Sequence, residues 1–271
     1  MVLFPNAKIN LGLNILSKRD DGYHNIESLM TGTRFTDIME FTESRDKSQD
    51  IKLTGLKISG APQDNLVLKA WKLLNEEFGI PPVKILLHKI IPAGAGLGGG
   101  SSDAAYMLKG LNDYFQLGIP AIKLQKQAIQ LGSDCGFFIE NKTSFISGKG
   151  DIITPAPEVL KNKWLYLFYP GLYVSTADAY SLVKPRFFHK KITDVVLMNY
   201  DDWKENIIND FEVPVFKKYP LIGEIKQKLY ESGAFYASMS GSGSSVFGIF
   251  HEQQSFSSFL KQWLIWGEEV T

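Results

Sequence analysis

A glycine-rich stretch constrains the fold of this 271-residue chain more than any other feature: residues 92–103 read PAGAGLGGGSSD. It follows a strand-like run over 83–91 and precedes a helical pattern whose apolar stripe begins at Ala104. Glycine destabilises a regular element by roughly 0.5–1 kcal/mol relative to alanine, so five glycines here indicate a loop. A loop between a strand and a helix start binds anions, because free N–H groups and the positive end of the helix dipole point at the ligand. We therefore predict that residues 92–102 cradle phosphate groups.

The stretch also contains the pattern G-x-G-x-x-G from residue 94, which matches the dinucleotide-binding fingerprint. Two features disfavour that interpretation. The motif does not follow the first strand, and Asp113, at about the required distance of 20 residues, falls within the predicted helix. A Walker A loop is excluded because no Gly-Lys-Ser/Thr follows. The pattern favours a third kind of phosphate loop, in which Ser101 or Ser102 caps the next helix. The sequence offers no physical reason for Asp103 beside phosphates that should repel it.

The composition excludes several classes of partner. Lysine plus arginine and aspartate plus glutamate number 29 each, so no net field draws the chain to nucleic acid or to a membrane. The longest apolar stretch, 165–174, is too short to span a bilayer, and the N-terminus lacks the basic region of a signal peptide. The lone cysteine, Cys135, fits a reducing compartment. We expect a cytoplasmic protein that acts on a small molecule.

The pattern of strands and helices indicates an α+β fold. Residues 6–16 alternate apolar and polar side chains and predict a half-buried strand. Helical spacing covers 65–78 and 121–131, further strands are expected over 143–152 and 164–169, and a helix over 221–231. This mixture lacks the regular alternation of a doubly wound sheet.

Two further motifs flank the glycine stretch in sequence. At the N-terminus, PNAKINLGLNILSKRDDGYHNIESLM places Lys8, Asn10 and Asn14 on one strand face, which either is solvated or lines a cleft. Near the C-terminus, SGSGSS at 240–245 lies between apolar runs and predicts a tight turn between strands rather than a linker. A serine hydrolase is disfavoured, because G-x-S-x-G is absent and the histidines are scattered. These histidines are His24, His88, His189 and His251.

Together, in this order, the three motifs resemble those of the GHMP small-molecule kinases, named for galacto-, homoserine, mevalonate and phosphomevalonate kinases. The likeness covers nearly the whole chain. It implies a two-lobed α+β kinase fold, with a ribosomal-S5-like ATP-binding domain over 1–155 and a ferredoxin-like domain over 156–271. It also implies ATP and Mg²⁺ as cofactors.

The resemblance assigns roles to particular residues. Asp134, in GSDCGFF, is implied as the general base and Lys8 as its catalytic partner across the cleft. Cys135-Gly136 stands where many family members have Val-Pro, which puts the rigidity of this loop in question. A serine at the end of the glycine loop, Ser101 or Ser102, is implied near magnesium. The implied nucleotide-binding residues are Asn65, Leu66, Lys89, Pro92, Gly94, Gly96, Leu97, Gly98, Gly99, Gly100, Ser101 and Ser102.

The continuation KRDDGYH is characteristic of one branch of the family, whose acceptor is a cytidine-diphosphate methylerythritol of the non-mevalonate isoprenoid pathway. The resemblance implies that Tyr23 stacks on the cytosine, His24 reads the base edge and Tyr180 closes the other face. Asn10 and Thr176 are implied to contact this substrate. Tyr180 as an ordinary core residue stays open. Two other functions also stay open: another GHMP kinase or related decarboxylase, and a non-catalytic nucleotide-binding protein. The sequence does not decide between a monomer and a homodimer.

Overall fold

The computed structural model describes residues 1–58, 60–183, 185 and 190–271, so His189 lies outside the described residues. The strands are, in chain order, β1 (Val2–Leu3), β2 (Asn6–Lys18), β3 (His24–Thr36), β4 (Ile38–Glu43), β5 (Asp50–Gly55), β6 (Val83–Lys89), β7 (Ser144–Ser147), β8 (Ile152–Pro155), β9 (Lys163–Phe168), β10 (Tyr236–Met239), β11 (Val246–Phe250) and β12 (Leu264–Val270). The helices are α1 (Leu66–Phe78), α2 (Gly99–Tyr114), α3 (Ala121–Leu131), α4 (Phe137–Glu140), α5 (Thr176–Leu182), α6 (Ile192–Val195), α7 (Trp203–Asn206), α8 (Glu212–Lys218), α9 (Pro220–Glu231) and α10 (Ser258–Lys261). This mixture confirms the α+β class.

Contacts divide the chain into two units, and each unit is assembled from separated segments. The first unit comprises Met1–Ala7, Gly32–Ala93 and Gly98–Lys142. The second comprises Lys8–Thr31, Gly94–Leu97 and Thr143–Thr271. The glycine-rich stretch is therefore shared, because four of its residues group with the second unit and its flanks with the first.

The first unit is built on a mixed sheet with the strand order β1-β4-β6-β5. β4 pairs antiparallel with β6, whereas β5 runs parallel to it. The predicted helix over 65–78 is confirmed as α1, and Asn65 caps it by accepting a hydrogen bond from the Val67 N–H at 2.9 Å. α1 and α2 pack against each other. The buried residues of α1 are Val67, Ala70 and Leu74, and those of α2 include Ala104, Leu108 and Leu111.

The helix after the glycine loop begins earlier than the sequence predicts. The prediction that Ser101 or Ser102 caps it is wrong, because α2 starts at Gly99 and Gly98 is the cap residue. Gly98 has φ 70°, in the left-handed region that glycine adopts without a steric cost. The cap residue Gly98 supplies no side-chain hydrogen bond, so this helix start depends on the backbone geometry of a glycine rather than on a serine hydroxyl.

The second unit contains the sheet with the strand order β10-β11-β9-β12 and the larger part of the sheet with the strand order β2-β3-β7-β8. The alternation over 6–16 correctly predicted β2, but both faces of the strand are buried rather than one. Lys8 is 2% exposed and Asn10 is 0% exposed, so the solvated-face alternative is excluded. The serine-glycine turn lies between the antiparallel strands β10 and β11, as predicted.

Other predicted elements are confirmed within small differences at their ends. The helix over 121–131 is α3 and ends at Gly132, and the helix over 221–231 is α9. The strand over 164–169 is β9, which lies between β11 and β12. Among the described residues, no helix combines the length and the apolar character that a bilayer crossing requires.

Candidate functional site

The first unit contains a cavity of about 200 Å³ beside the start of α2. Four of the residues implied in nucleotide binding line this cavity. They are Asn65, Leu66, Lys89 and Gly100. The other lining residues come from β5, from the segment before α1 and from the glycine-rich stretch over 92–103. They are Leu53, Ile58, Gly60, Ala61, Pro62, Asp64, Ala93 and Asp103. The structure thus brings together residues that are distant in sequence, around a space of mixed apolar and charged character.

A buried charge cluster forms part of this wall. Lys89 is 3% exposed, and its ammonium donates to the carboxylate of Asp103 at 2.7 Å and to that of Asp37. Asp37 is the single residue between β3 and β4, and it also accepts the backbone N–H groups of Ile90 and Ile91 at 2.5 and 2.9 Å. Sequence reasoning missed Asp37, because nothing in its neighbourhood marks it as part of a site.

The pKa values of Asp103 and Lys89 are both raised. Burial raises the pKa of Asp103 to about 7, although the Lys89 ammonium opposes this rise, and the nearby Asp37 carboxylate adds to it. Burial lowers the pKa of Lys89, but Asp103 and Asp37 together more than offset this effect, so its pKa is raised overall. Lys89 therefore remains an ammonium group at neutral pH, while the charge of Asp103 changes near neutrality.

The part of the glycine loop within the first unit presents one hydroxyl without a partner. Ser102 is fully buried, and its Oγ has no hydrogen-bond partner among the described residues. Ser101 is half-buried and shares a hydrogen bond with the Cys135 thiol. An unpaired buried hydroxyl on a glycine-rich helix start fits a site that a phosphate and its counter-ion complete. No cluster of three or more metal-ligating side chains occurs in the described part of the chain.

Asp134 lies in the short helical turn Ser133–Gly136, which follows α3 directly. Its neighbour Cys135 is buried, and its N–H bonds the Gly132 carbonyl at 3.0 Å, which closes this turn. Burial raises the pKa of the Cys135 thiol to about 12, so the thiol is protonated and is not a nucleophile. Cysteine at this position thus packs as a small apolar residue.

In the second unit, Lys8 and Asn10 meet the other part of the glycine loop. The Lys8 ammonium donates to the Gly96 carbonyl at 3.1 Å and to the Asn10 side-chain oxygen. Asn10 in turn donates to the Ser28 hydroxyl at 2.8 Å. A side-chain lysine held by two oxygens in a buried position has a fixed ammonium, which is the arrangement that electrostatic catalysis requires.

The third motif packs against the same segment of the glycine loop. The Ser240 hydroxyl donates to the Gly96 carbonyl at 2.9 Å, and the Ser245 N–H donates to the Ala95 carbonyl at 3.1 Å. Asn209, which sequence reasoning missed, donates to the carbonyls of Met239 and Gly241, both at 2.8 Å. The first, second and third motifs thus meet within the second unit, although they are far apart in sequence.

The residues implied in acceptor binding are also grouped. The His24 ring stacks on the Tyr180 ring, with 5.1 Å between centroids and 23° between planes. Tyr180 is half-buried and contacts Phe211 edge-on, so it is not simply a core residue. Tyr23 is 54% exposed. Burial, and then the charge of Lys18, lower the pKa of His24, so its imidazole is neutral at neutral pH.

Comparison with known proteins gives the class first. The model of the GHMP kinases N terminal domain matches residues 65–142, and the model of the GHMP kinases C terminal domain matches residues 196–268. The chain belongs to the GHMP kinase family and is a kinase. The resemblance found in its three motifs is confirmed. The two models leave residues 143–195 between them, so a domain boundary at residue 155 stays a prediction.

Particular relatives narrow this class. The chain is 50% identical to 4-diphosphocytidyl-2-C-methyl-D-erythritol kinase of Bacteroides fragilis over 256 aligned residues. This alignment covers 94% of this chain and 93% of the relative. It is 49% identical to the protein of the same name in Bacteroides thetaiotaomicron, over 93% of both chains. A crystal structure of 4-(cytidine 5'-diphospho)-2C-methyl-D-erythritol kinase superposes with a TM-score of 0.77 at 30% identity, over 92% of this chain and 90% of that one. A mevalonate kinase of Methanococcus jannaschii, at 16% identity and a TM-score of 0.67, shares the fold.

Proposed function

We propose that this kinase transfers the γ-phosphate of ATP to the 2-hydroxyl of 4-diphosphocytidyl-2-C-methyl-D-erythritol, giving the 2-phosphate and ADP. This reaction belongs to the non-mevalonate route to isoprenoid precursors. The observation that carries the proposal is the 50% identity, over 94% of the chain, to a relative that bears the name of this kinase. The KRDDGYH continuation of the first motif supports the same acceptor.

The nucleotide is assigned to the cavity and the glycine loop. The base would enter the space lined by Asn65, Leu66 and Lys89, and the phosphates would lie along Gly98–Ser102 at the start of α2. The unpaired hydroxyl of Ser102 supports a ligand at this position, because a buried hydroxyl without a partner is costly. Magnesium, when bound, would neutralise charge on the β- and γ-phosphates. Hydroxyls, phosphates and water are ligands that it accepts.

The proton and charge steps are assigned to Asp134 and Lys8. Asp134 would accept the proton of the attacking hydroxyl, as a carboxylate within a defined turn can do. The Lys8 ammonium would stabilise the charge that develops on the oxygen. The burial of Lys8 supports this role, because burying an ammonium group costs free energy and is found where the charge has hydrogen-bond partners or a function.

The acceptor is assigned to the residues around His24. One face of Tyr180 is occupied by the His24 ring, so a base that stacks on that face has to displace the ring. Tyr23 is exposed, with the Lys149 ammonium over one face of its ring at 5.0 Å from the centroid, so the cytosine would stack on the other face of Tyr23. The neutral His24 would read the base edge by hydrogen bonding, and Asn10 and Thr176 would contact the remainder of the substrate.

The test is ADP release with ATP, magnesium and the cytidylated acceptor, run beside mevalonate and homoserine, with Asp134→Asn as the control. Turnover of the cytidylated acceptor alone, lost in Asp134→Asn, is expected. Turnover of another acceptor would keep the kinase and remove the acceptor assignment. Nucleotide binding without any turnover would favour a non-catalytic protein. We also propose a cytoplasmic enzyme, because the single thiol suits a reducing compartment, acting as a monomer or homodimer.

A further inference from the structure

Tyr173 is a large aromatic residue to which the proposed reaction gives no role. It lies in the segment between β9 and α5, three residues before Thr176. Tyr173 is 67% exposed, whereas its neighbour Val174 is buried. Its ring lies against the backbone of Gly94, since a Cβ built on Gly94 would lie 2.5 Å from the ring atom Cε2. Gly94 thus makes room for the Tyr173 ring, which a side chain at this position would displace.

The backbone around Tyr173 is held by the third motif. The Ser244 hydroxyl donates to the carbonyl of Leu172, the residue before Tyr173. On the other side, the hydroxyls of Thr176 and Ser242 share a hydrogen bond at 3.1 Å. The chain is therefore fixed on both sides of Tyr173, while the ring stays at the surface. A tyrosine side chain has only two χ angles, so this placement presents its hydroxyl to a ligand at a low cost in conformational entropy.

The third motif also connects the two ends of the site that the acceptor is assigned to. At one end, the Ser240 hydroxyl donates to the Gly96 carbonyl, which also accepts the Lys8 ammonium. At the other end, Ser242 bonds Thr176, the first residue of α5. Both ends lie within the second unit. The third motif therefore spans from the lysine assigned to the reacting hydroxyl to the helix that carries a residue assigned to the cytosine.

The parts of the proposed acceptor follow the same order. Its cytosine is assigned to the residues around Tyr180 on α5, and its reacting hydroxyl to Lys8. The diphosphate lies between these two groups in the molecule, so it belongs beside the stretch that joins the two ends of the site. Tyr173 borders this stretch, because its ring rests on Gly94, two residues before the glycine whose carbonyl accepts Lys8. Tyrosine and threonine hydroxyls are common donors to phosphate oxygens.

We propose that Tyr173 determines specificity for the acceptor by donating a hydrogen bond from its phenol hydroxyl to the acceptor's diphosphate. The inference rests on the proposed function for the identity of the acceptor. The phenol keeps its proton, so no covalent bond forms or breaks. A diphosphate oxygen gains a charge-assisted hydrogen bond, which is stronger than one between neutral groups. Acceptors that lack a diphosphate, such as mevalonate and homoserine, gain nothing from this residue.

The test compares the binding of cytidine and of cytidine diphosphate by titration calorimetry, in the wild type, Tyr173→Phe and Tyr114→Phe. A phenylalanine ring can still rest on Gly94, so Tyr173→Phe removes the hydroxyl alone. Tyr114, which is 41% exposed at the end of α2, is the matched control. The wild type and Tyr114→Phe are expected to prefer cytidine diphosphate by the same factor.

Tyr173→Phe is expected to reduce this preference about tenfold, as the loss of a hydrogen bond to a charged group predicts, with an unchanged affinity for cytidine. An unchanged preference would overturn the inference and leave the proposed acceptor intact. An equal loss of affinity for both ligands would also overturn it, because the hydroxyl would then act on the base or the ribose. A wild type that binds neither ligand would remove the proposed acceptor, and the inference with it.

Steady-state kinetics provide a second readout that a merely structural role would not give. In Tyr173→Phe, the KM for the cytidylated acceptor is expected to rise about tenfold, while kcat and the KM for ATP stay within about twofold of the wild type. A fall in kcat with an unchanged KM for the acceptor would overturn the inference, because the hydroxyl would then act on the transfer step rather than on binding.

Discussion

The backbone carbonyl of Ser240 occupies the space that a side chain on Gly96 would need: a Cβ built on Gly96 would lie 1.9 Å from the Ser240 oxygen. Gly96 also has φ 78°, where residues other than glycine are strained. The glycine loop and the third motif can approach this closely only because one of them has no side chain. The same Gly96 carbonyl accepts hydrogen bonds from Lys8 and Ser240, so the contact fixes a catalytic candidate as well.

Gly96→Ala is therefore expected to destabilise the fold by about 1–3 kcal/mol and to reduce kcat strongly, since the clash is with backbone that cannot rotate away. Urea unfolding and ADP release measure the two effects. Gly118→Ala is the matched control, because Gly118 has a similar φ of 65°, a Cβ there meets nothing within 4 Å, and it lies outside the candidate site. A stable and active Gly96→Ala would contradict the close approach.

Removal of the Lys8 charge is expected to affect chemistry more than binding. Lys8→Met keeps most of the side-chain volume, so we expect kcat to fall on the order of 10²–10⁴-fold. The KM for ATP should change little, because the cavity lining does not include Lys8. Steady-state kinetics with both substrates separate these effects. Lys8→Met with normal kcat would remove the catalytic assignment, whatever the result for Asp134→Asn.

Asp103 is expected to make stability depend on pH. Its pKa rises from 3.8 to about 7 on folding, so the folded protein binds the proton more tightly than the unfolded chain. This contribution is fully present below pH 4 and is lost as the pH rises through about 7, with each tenfold difference in proton affinity worth about 1.4 kcal/mol. Urea unfolding at pH 5 to 8 is expected to show a flatter profile for Asp103→Asn than for the wild type. An unchanged profile would mean that Asp103 does not titrate in this range.

The stack of His24 on Tyr180 is expected to control the proton affinity of His24. Tyr180→Ala exposes the imidazole, so the pKa of His24 should rise towards 6.5, because burial is the main cause of its lowering. Lys18→Met removes the second cause and should raise the pKa by less. NMR titration of the His24 ring measures both. The KM for the acceptor should also rise in Tyr180→Ala. A larger rise of the His24 pKa in Lys18→Met than in Tyr180→Ala would contradict the prediction, because it would show that charge dominates over burial.

Much of the fold follows from local patterns in the sequence. Alternation placed β2, helical spacing placed α1 and α3, and the glycine run marked the loop before α2. These signals work because each depends on a few consecutive side chains. The prediction of a serine cap for α2 failed for the same reason. Serine is a common cap residue, but Gly98, in the left-handed conformation, is the cap in the structure.

Local sequence patterns could not predict the charge cluster or the hydrogen bonds that Asn209 makes to the third motif. Asp37, Lys89 and Asp103 come from three segments separated by other elements, and only the fold shows that they share one ammonium. Asn209 is likewise an ordinary polar residue until β10 places two carbonyls beside it. The burial of both faces of β2 also depends on tertiary packing, which alternation along one strand does not report.

The pairing of β3 with β7, in which Ser28 lies opposite Ile146, has a consequence for synthesis on the ribosome. β3 lacks the neighbour that β7 supplies until residue 147 has emerged, and the sheet β2-β3-β7-β8 is completed only when residue 155 has emerged. The Ala95–Ser245 hydrogen bond forms later still, after residue 245 has emerged. Nascent chains stalled before residue 143 should therefore bind chaperones and be cut by proteases, whereas the released 271-residue chain should resist both.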